Sequence, residues 1–116
     1  MRRFLQSLSI AAVAAIAGPA LADDCPQPGP APAIPDGATA TVDQMKSAHE
    51  AIQKYVNLLQ QEQDCVEARI KISPKGTKAE VLQKLRDQGN AAIDQAKALG
   101  DSYSAQVKAF KARTAK

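Results

Sequence analysis

Two long segments that lack strong helix breakers, separated by one short turn, constrain this chain more than any other feature. Residues 41–72 contain neither Gly nor Pro, and residues 77–114 contain no Pro and only Gly89 and Gly100. Between them, Ser73-Pro74-Lys75-Gly76 has Pro at its second position and Gly at its fourth, as a type I turn prefers. Because so short a connection makes two helices lie antiparallel, the sequence predicts an all-α, two-helix hairpin with helices at about 41–72 and 77–114.

The first predicted helix carries a regular apolar stripe. Four of its apolar residues recur every seven positions, namely Met45, Ile52, Leu59 and Val66. This spacing places them on one helix face, which we expect to be buried. Thr41, followed three residues later by Gln44, forms a capping box that marks the start of the helix.

The second predicted helix also has one apolar face. Its members share helical spacing and are Leu82, Leu85, Ala92, Ile93, Ala96, Leu99, Tyr103, Val107 and Phe110. Thr77 and Glu80 predict a second capping box at its start. Folding the chain about the turn places Gly89 near Leu59 and Tyr103 near Met45. A Gly costs a helix about 1 kcal/mol relative to Ala, so whether the helix breaks near Gly100 stays open.

Residues 1–22 have the pattern of an export signal. Arg2 and Arg3 precede an apolar run, and the segment ends in small residues of the kind that signal peptidase requires. The run is shorter than the roughly 20 residues that cross a bilayer, which argues against an uncleaved anchor. We therefore expect cleavage between Ala22 and Asp23, export to the periplasm and a soluble mature protein.

The charge balance argues against nucleic acid as a partner. The formal charge falls from +3 to +1 when two arginines leave with the signal, whereas nucleic-acid binding needs clustered positive charge. Lys108, Lys111, Arg113 and Lys116 end the chain without an acidic residue among them, and cations suit a helix C-terminus. An alternative is that this tail docks on anionic lipid or polymer. The apolar face of the tail consists of only Val107 and Phe110, so such membrane-surface contact would be weak.

Residues 23–40 form a Pro-rich arm that precedes the hairpin, which we assign to residues 41–116. Five prolines between positions 26 and 35 predict an extended, polyproline-type conformation. Two cysteines in a small exported domain favour a disulfide, and Cys25 with Cys65 is the one intramolecular pairing. The arm from Cys25 to Thr41 spans about 50 Å when extended, which exceeds the roughly 36 Å of helix from Thr41 to Cys65. A bridge between two copies remains the alternative.

A second stripe on the first helix predicts where the arm lies. Its members also recur every seven positions and are Ala51, Leu58, Cys65 and Ile72. They lie on a flank turned away from the main stripe, which the second helix cannot easily cover as well. We therefore expect the arm to cover this flank through Ala31, Ala33 and Ile34.

No residue pattern supports catalysis, a cofactor or a metal site. His49-Glu50 resembles the start of a helical zinc-protease motif, but Gln53 stands where the second His belongs, and His49 is the only histidine. Metal binding would lack further soft ligands if both cysteines are oxidised. Glu62 and Asp64 lie in a polar stretch and are interpreted as solvated. We expect no enzyme activity and assign no catalytic residue.

One stretch of the chain is similar to known proteins. Cys25-Pro26, the run from Ile34 to Thr41 with sequence IPDGATAT, Met45 after it, and Cys65 resemble a group of small exported proteobacterial proteins of uncharacterised function. The resemblance covers about 40 residues and implies a periplasmic helical protein with paired cysteines. It carries no catalytic motif.

These observations favour a non-catalytic interaction or structural module. Two long amphipathic helices with a thin core present a face or groove that another envelope protein, or a second copy of the chain, could bind. The alternative function is an envelope-surface binder that uses the basic tail on anionic lipid or polymer.

Overall fold

The computed structural model describes residues 25–115, and within them it contains two helices and no strand. Helix α1 spans Val42–Ile72 and helix α2 spans Ala79–Thr114. They pack side by side as an antiparallel hairpin, which confirms the predicted fold class. The predicted signal, residues 1–22, and its cleavage between Ala22 and Asp23 lie outside the described residues. Within residues 25–115, no helix is both long and apolar enough to cross a membrane.

The start of α1 confirms the first capping box. The Thr41 Oγ1 accepts a hydrogen bond from the Gln44 backbone N–H at 3.1 Å, and the Gln44 Oε1 accepts one from the Thr41 backbone N–H at 2.9 Å. Each side chain therefore satisfies an amide that the helix itself leaves without a partner.

The start of α2 differs from the prediction. Lys78 caps the helix without a side-chain hydrogen bond, so the Thr77–Glu80 capping box is wrong. The Thr77 hydroxyl instead donates to the Pro74 carbonyl at 2.6 Å, because Thr77 still belongs to the turn. That turn closes between Pro74 and Thr77, and Gly76 has φ +92° at its third position. A positive φ there is the type II pattern that glycine permits, one residue later than the predicted type I turn.

The seam between the helices follows the main stripe of α1. Met45, Ile52, Leu59 and Val66 are all buried, as predicted. From α2, the buried residues are Gly89, Ala92 and Leu99, and the helix continues unbroken through Gly100. A Cβ placed on Gly89 would lie 3.3 Å from the Val66 Cγ1, so the helices approach closely at this point.

Two details of the seam differ from the prediction. Gly89 faces Val66 rather than Leu59, one heptad nearer the turn. Ile93, placed on the buried face by its spacing, is 44% exposed and lies at the edge of the seam. At the far end the register agrees with the prediction, because the Tyr103 hydroxyl donates to the Met45 carbonyl at 3.1 Å.

The arm is tied to α1 by the Cys25–Cys65 disulfide, with the two Cα atoms 5.7 Å apart. The bridge is intramolecular, as the fold prediction required. The predicted position of the arm is right only in part. Ala33 and Ile34 line one depression with Ala51, and Cys65 is bonded to the arm. Leu58 is 47% exposed and Ile72 is 79% exposed, however, so the arm leaves that part of the predicted flank uncovered. Ile34 packs against the core that both helices share, because a groove between two helices buries more apolar surface than one flank of a single helix.

Polar side chains from both helices hold the arm in this groove. The Tyr55 hydroxyl donates to the Gly29 carbonyl at 2.9 Å, and the Gln88 Nε2 donates to the Cys25 carbonyl at 3.2 Å. Farther along the arm, the Gly37 N–H donates to the Gln106 Oε1 at 2.9 Å. The Pro-rich arm has backbone carbonyls but few backbone N–H groups, so the helices supply mainly donors to it.

Candidate functional site

The two packed helices form a groove on each side of their seam, and residues 25–115 fill one of these grooves. The arm lies over Tyr55 and Gln88 on one side. On the other side, where Val56 and Ile93 lie, no described segment of the chain covers the helices. We call this second side the open groove.

The open groove runs along most of the hairpin as three depressions on the same side of the seam. Their volumes are about 210 Å³ near the turn, about 590 Å³ in the middle and about 330 Å³ at the far end. The residues that line them include Gln63, Glu67, Ile70, Arg86, Gly89, Asn90 and Ile93 near the turn, Ile52, Gln53, Val56, Asn57, Gly100 and Ser104 in the middle, and Val42, Met45, Lys46, Glu50, Val107 and Phe110 at the far end. His49 and Tyr103 line both the middle and the far depression.

The shape of the open groove follows from the size of its residues. Gly100 and Ser104 present almost no side chain on α2, and this widens the middle depression beside Val56. Nothing lies within 4 Å of a Cβ placed on Gly100, so that wall has free space. Ile93 and Val42 leave 44% and 53% of their surface exposed at its two ends. The result is an apolar floor that residues 25–115 leave open to solvent.

Charges of both signs stand along the open groove. Glu67 and Arg86 line the depression near the turn, whereas Lys46 and Glu50 line the far end. In the middle depression, the polar side chains other than His49 are all uncharged. An apolar floor with a mixed, polar margin is the arrangement found at protein interfaces, and it offers no concentrated charge that would select a small ion.

His49 lies in the open groove, and its ring centroid is 5.7 Å from that of Tyr103. The side chain is exposed, and no carboxylate of residues 25–115 is hydrogen-bonded to it. Within the same residues, no three His, Cys, Asp or Glu side chains come together as metal ligands. The contact that the structure shows for His49 is the aromatic one with Tyr103.

Glu62 is the residue that the sequence interpretation placed wrongly. It was expected to be solvated, yet it is only 5% exposed and accepts a hydrogen bond from the Gln88 Nε2 at 2.9 Å. Its position carried a signal, because Glu62 follows Tyr55 by seven residues and Ala48 by fourteen, and both of these are buried. Asp64 is exposed, as expected.

The basic tail is partly engaged by the fold. The Arg113 guanidinium donates to the Ala40 carbonyl and stacks over the Phe110 ring, 5.2 Å from its centroid. Lys108 and Lys111 are exposed. Val107 and Phe110 are half-buried, so the tail keeps little apolar surface for a membrane.

No known family, curated protein or solved structure matches this chain.

Proposed function

We propose that this chain is exported to the periplasm and acts there as a non-catalytic interaction module, and that it binds an amphipathic helix of its partner in the open groove. The observation that carries the proposal is the asymmetry of the hairpin. The arm and its disulfide cover one groove, while the opposite groove keeps an apolar floor without a covering segment among residues 25–115.

The dimensions of the open groove suit a helix. From Val42 to Ile70 it follows 28 residues of α1, about 42 Å at 1.5 Å per residue. A partner helix of several turns could lie along it with side chains at i, i+3, i+4 and i+7 facing the floor. Gly100 and Ser104 leave room in the middle for a bulky anchor residue.

The partner is either another envelope protein or a second copy of the chain. Size-exclusion chromatography with light scattering distinguishes these two. A concentration-dependent dimer indicates self-association, whereas a monomer at all concentrations indicates a different protein. In both cases we expect the open groove to form the interface.

Two substitutions of equally exposed residues test the groove. Ile93 lies in the open groove and Leu58 lies on the outer flank of α1, and their exposures are 44% and 47%. We expect Ile93→Asp to abolish partner or self-association, because it puts a charge on an apolar floor. Leu58→Asp should leave association unchanged. Circular dichroism controls for folding, and equal loss in both variants would refute the proposal.

The alternative, an envelope-surface binder, has less support. Of the basic residues in the tail, Arg113 is already hydrogen-bonded to the arm. Lys108, Lys111 and Lys116 remain for anionic lipid, and three cations give weak, salt-sensitive attachment. Co-sedimentation with anionic vesicles at low and physiological salt tests this alternative, and we expect no binding at physiological salt.

A further inference from the structure

Glu62 is a buried carboxylate, and no cation of residues 25–115 is bonded to it. It is 5% exposed, and within these residues it accepts one hydrogen bond, from the neutral carboxamide of Gln88. No Lys, Arg or His among residues 25–115 forms an ion pair with it. A buried carboxylate is costly unless a cation or several donors compensate it. Glu62 therefore has unused capacity to accept hydrogen bonds from a positively charged group.

This carboxylate lines a pocket between the arm and both helices. The pocket has a volume of about 220 Å³ and lies on the covered side of the hairpin, away from the open groove. Arm residues 27–30 form one wall, and Tyr55, Glu62, Gln88 and Gln95 contribute the polar side chains of the others. The volume accommodates a small molecule of a few carbon atoms.

The hydrogen bonds around the pocket fix which atoms remain available. The Gln88 Nε2 donates to both the Cys25 carbonyl and the Glu62 carboxylate, neither of which can donate in return. The Tyr55 hydroxyl donates to the Gly29 carbonyl, so it must accept from the Gln95 Nε2 at 2.8 Å. Both N–H groups of Gln88 and one of the two on Gln95 are thus engaged, and the side-chain oxygens of these two residues have no partner within residues 25–115. The free acceptors beside Glu62 are therefore its second oxygen and these two carboxamide oxygens, while the second N–H of Gln95 and the carboxamide of Gln27 remain as donors at the edge formed with the arm.

From this donor and acceptor pattern we infer that the pocket under the arm binds the primary ammonium group of a small alkylamine. Such a group carries three donors and no acceptor. The second oxygen of Glu62 and the carboxamide oxygens of Gln88 and Gln95 offer it one negative charge and two neutral acceptors. Pro28, Pro30 and Ala92 line the same pocket and contact the alkyl chain.

A divalent cation fits the pocket less well. Calcium takes six to eight oxygen ligands, of which several are usually carboxylates, and the pocket has Glu62 as its single carboxylate. Anions are excluded by that same charge. A monovalent cation that donates hydrogen bonds matches the single carboxylate and the free carboxamide oxygens beside it.

The test is isothermal titration of the purified, oxidised protein with n-butylammonium chloride. We expect binding, and we expect neither tetramethylammonium, which lacks N–H donors, nor n-butanol, which lacks charge, to bind. Hydrogen bonds to charged groups contribute about 1.5–3 kcal/mol, so Glu62→Gln should weaken binding by about 10-fold to 100-fold. Glu67→Gln is the matched control on the same helix, because Glu67 lines the open groove instead, and it should bind like the parent protein.

A second measurement does not depend on a variant. In a ¹⁵N spectrum of the parent protein, n-butylammonium should shift the side-chain amide signals of Gln88 and Gln95 and leave that of Gln63, on the opposite side, unchanged. Absence of binding, equal affinity in Glu62→Gln, equal affinity for tetramethylammonium, or tighter binding of calcium chloride would each overturn the inference. None of these results bears on the open groove.

Discussion

Gly37→Ala gives the sharpest test of how the arm is seated. A Cβ on Gly37 would lie 1.9 Å from the carbonyl oxygen of Gln106 and 3.0 Å from the backbone nitrogen of Phe110. Both atoms belong to the backbone of α2, which cannot move aside as a flexible side chain can. Ordinary contact begins at 3.4 Å, so the arm must lift by about 1.5 Å to restore normal separation.

The magnitude follows from what this movement breaks. The hydrogen bond from the Gly37 N–H to the Gln106 Oε1 is 2.9 Å long and cannot survive a shift of that size. The bond from Arg113 to the Ala40 carbonyl lies three residues farther along and loosens with it. Each is worth about 1 kcal/mol, and replacing Gly stiffens the unfolded chain by about 0.5 kcal/mol in the opposite direction. Adding partial exposure of Ala40, we expect a net loss of about 2 kcal/mol.

Urea unfolding followed by circular dichroism measures this loss. With a slope of about 1–3 kcal/mol/M for a small protein, the midpoint should fall by about 1 M. Gly29→Ala is the matched control, because Gly29 is also in the arm and nothing lies within 4 Å of a Cβ placed there. Its midpoint should equal or slightly exceed that of the parent. If Gly37→Ala unfolds like Gly29→Ala, the arm does not lie against α2 as described.

Three further predictions concern the disulfide, the seam and the arm. Reduction of Cys25–Cys65, which closes a separation of 40 residues, should lower the free energy of unfolding by roughly 3–4 kcal/mol; alkylation of native, unreduced protein should label no thiol, and labelling of both would contradict the bridge. Gly100→Ala should stabilise α2 by up to about 1 kcal/mol, whereas in Gly89→Ala the contact with Val66 at 3.3 Å should cancel that gain; thermal melts compare the two, and equal shifts would show that the helices do not approach closely at Gly89. Tyr55→Phe removes one donor to the arm and one acceptor for Gln95 and should cost about 1 kcal/mol in urea unfolding, while no change would mean that the hydroxyl is satisfied by water instead.

Local rules and periodicity made α1 and the hairpin predictable. The absence of Gly and Pro from residues 41–72, together with the Thr41–Gln44 box, placed α1 to within one residue. The heptad from Met45 to Val66 identified the buried face, because these large apolar side chains leave water when that face packs against the second helix. The predicted start of the second helix was wrong because Thr77 had two possible hydrogen-bond partners. Its hydroxyl bonds to the turn carbonyl of Pro74 instead of to the helix amides.

The position of the arm and the state of Glu62 could not be predicted in the same way. A polyproline segment has no periodicity that matches it to a helix, so its length permitted the disulfide without showing which groove it would occupy. Once the arm lies over Tyr55 and Gln88, Glu62 becomes buried beneath it. Leu58 and Ile72 stay exposed because the arm lies in that groove and not over them. Periodicity on a single helix identifies faces, but only the assembled molecule shows what covers each one.

The central claim, that one groove is covered by the arm and the other receives a partner, is tested most directly by photo-crosslinking in cells that export the protein. A benzophenone amino acid is placed at Ile93, in the open groove, or at Leu58, equally exposed on the outer flank. We expect one discrete crosslinked species from position 93, either a heterologous adduct or a dimer of the chain, and none from position 58. Crosslinks from position 58 alone, or from neither position while the protein is folded and exported, would contradict the claim.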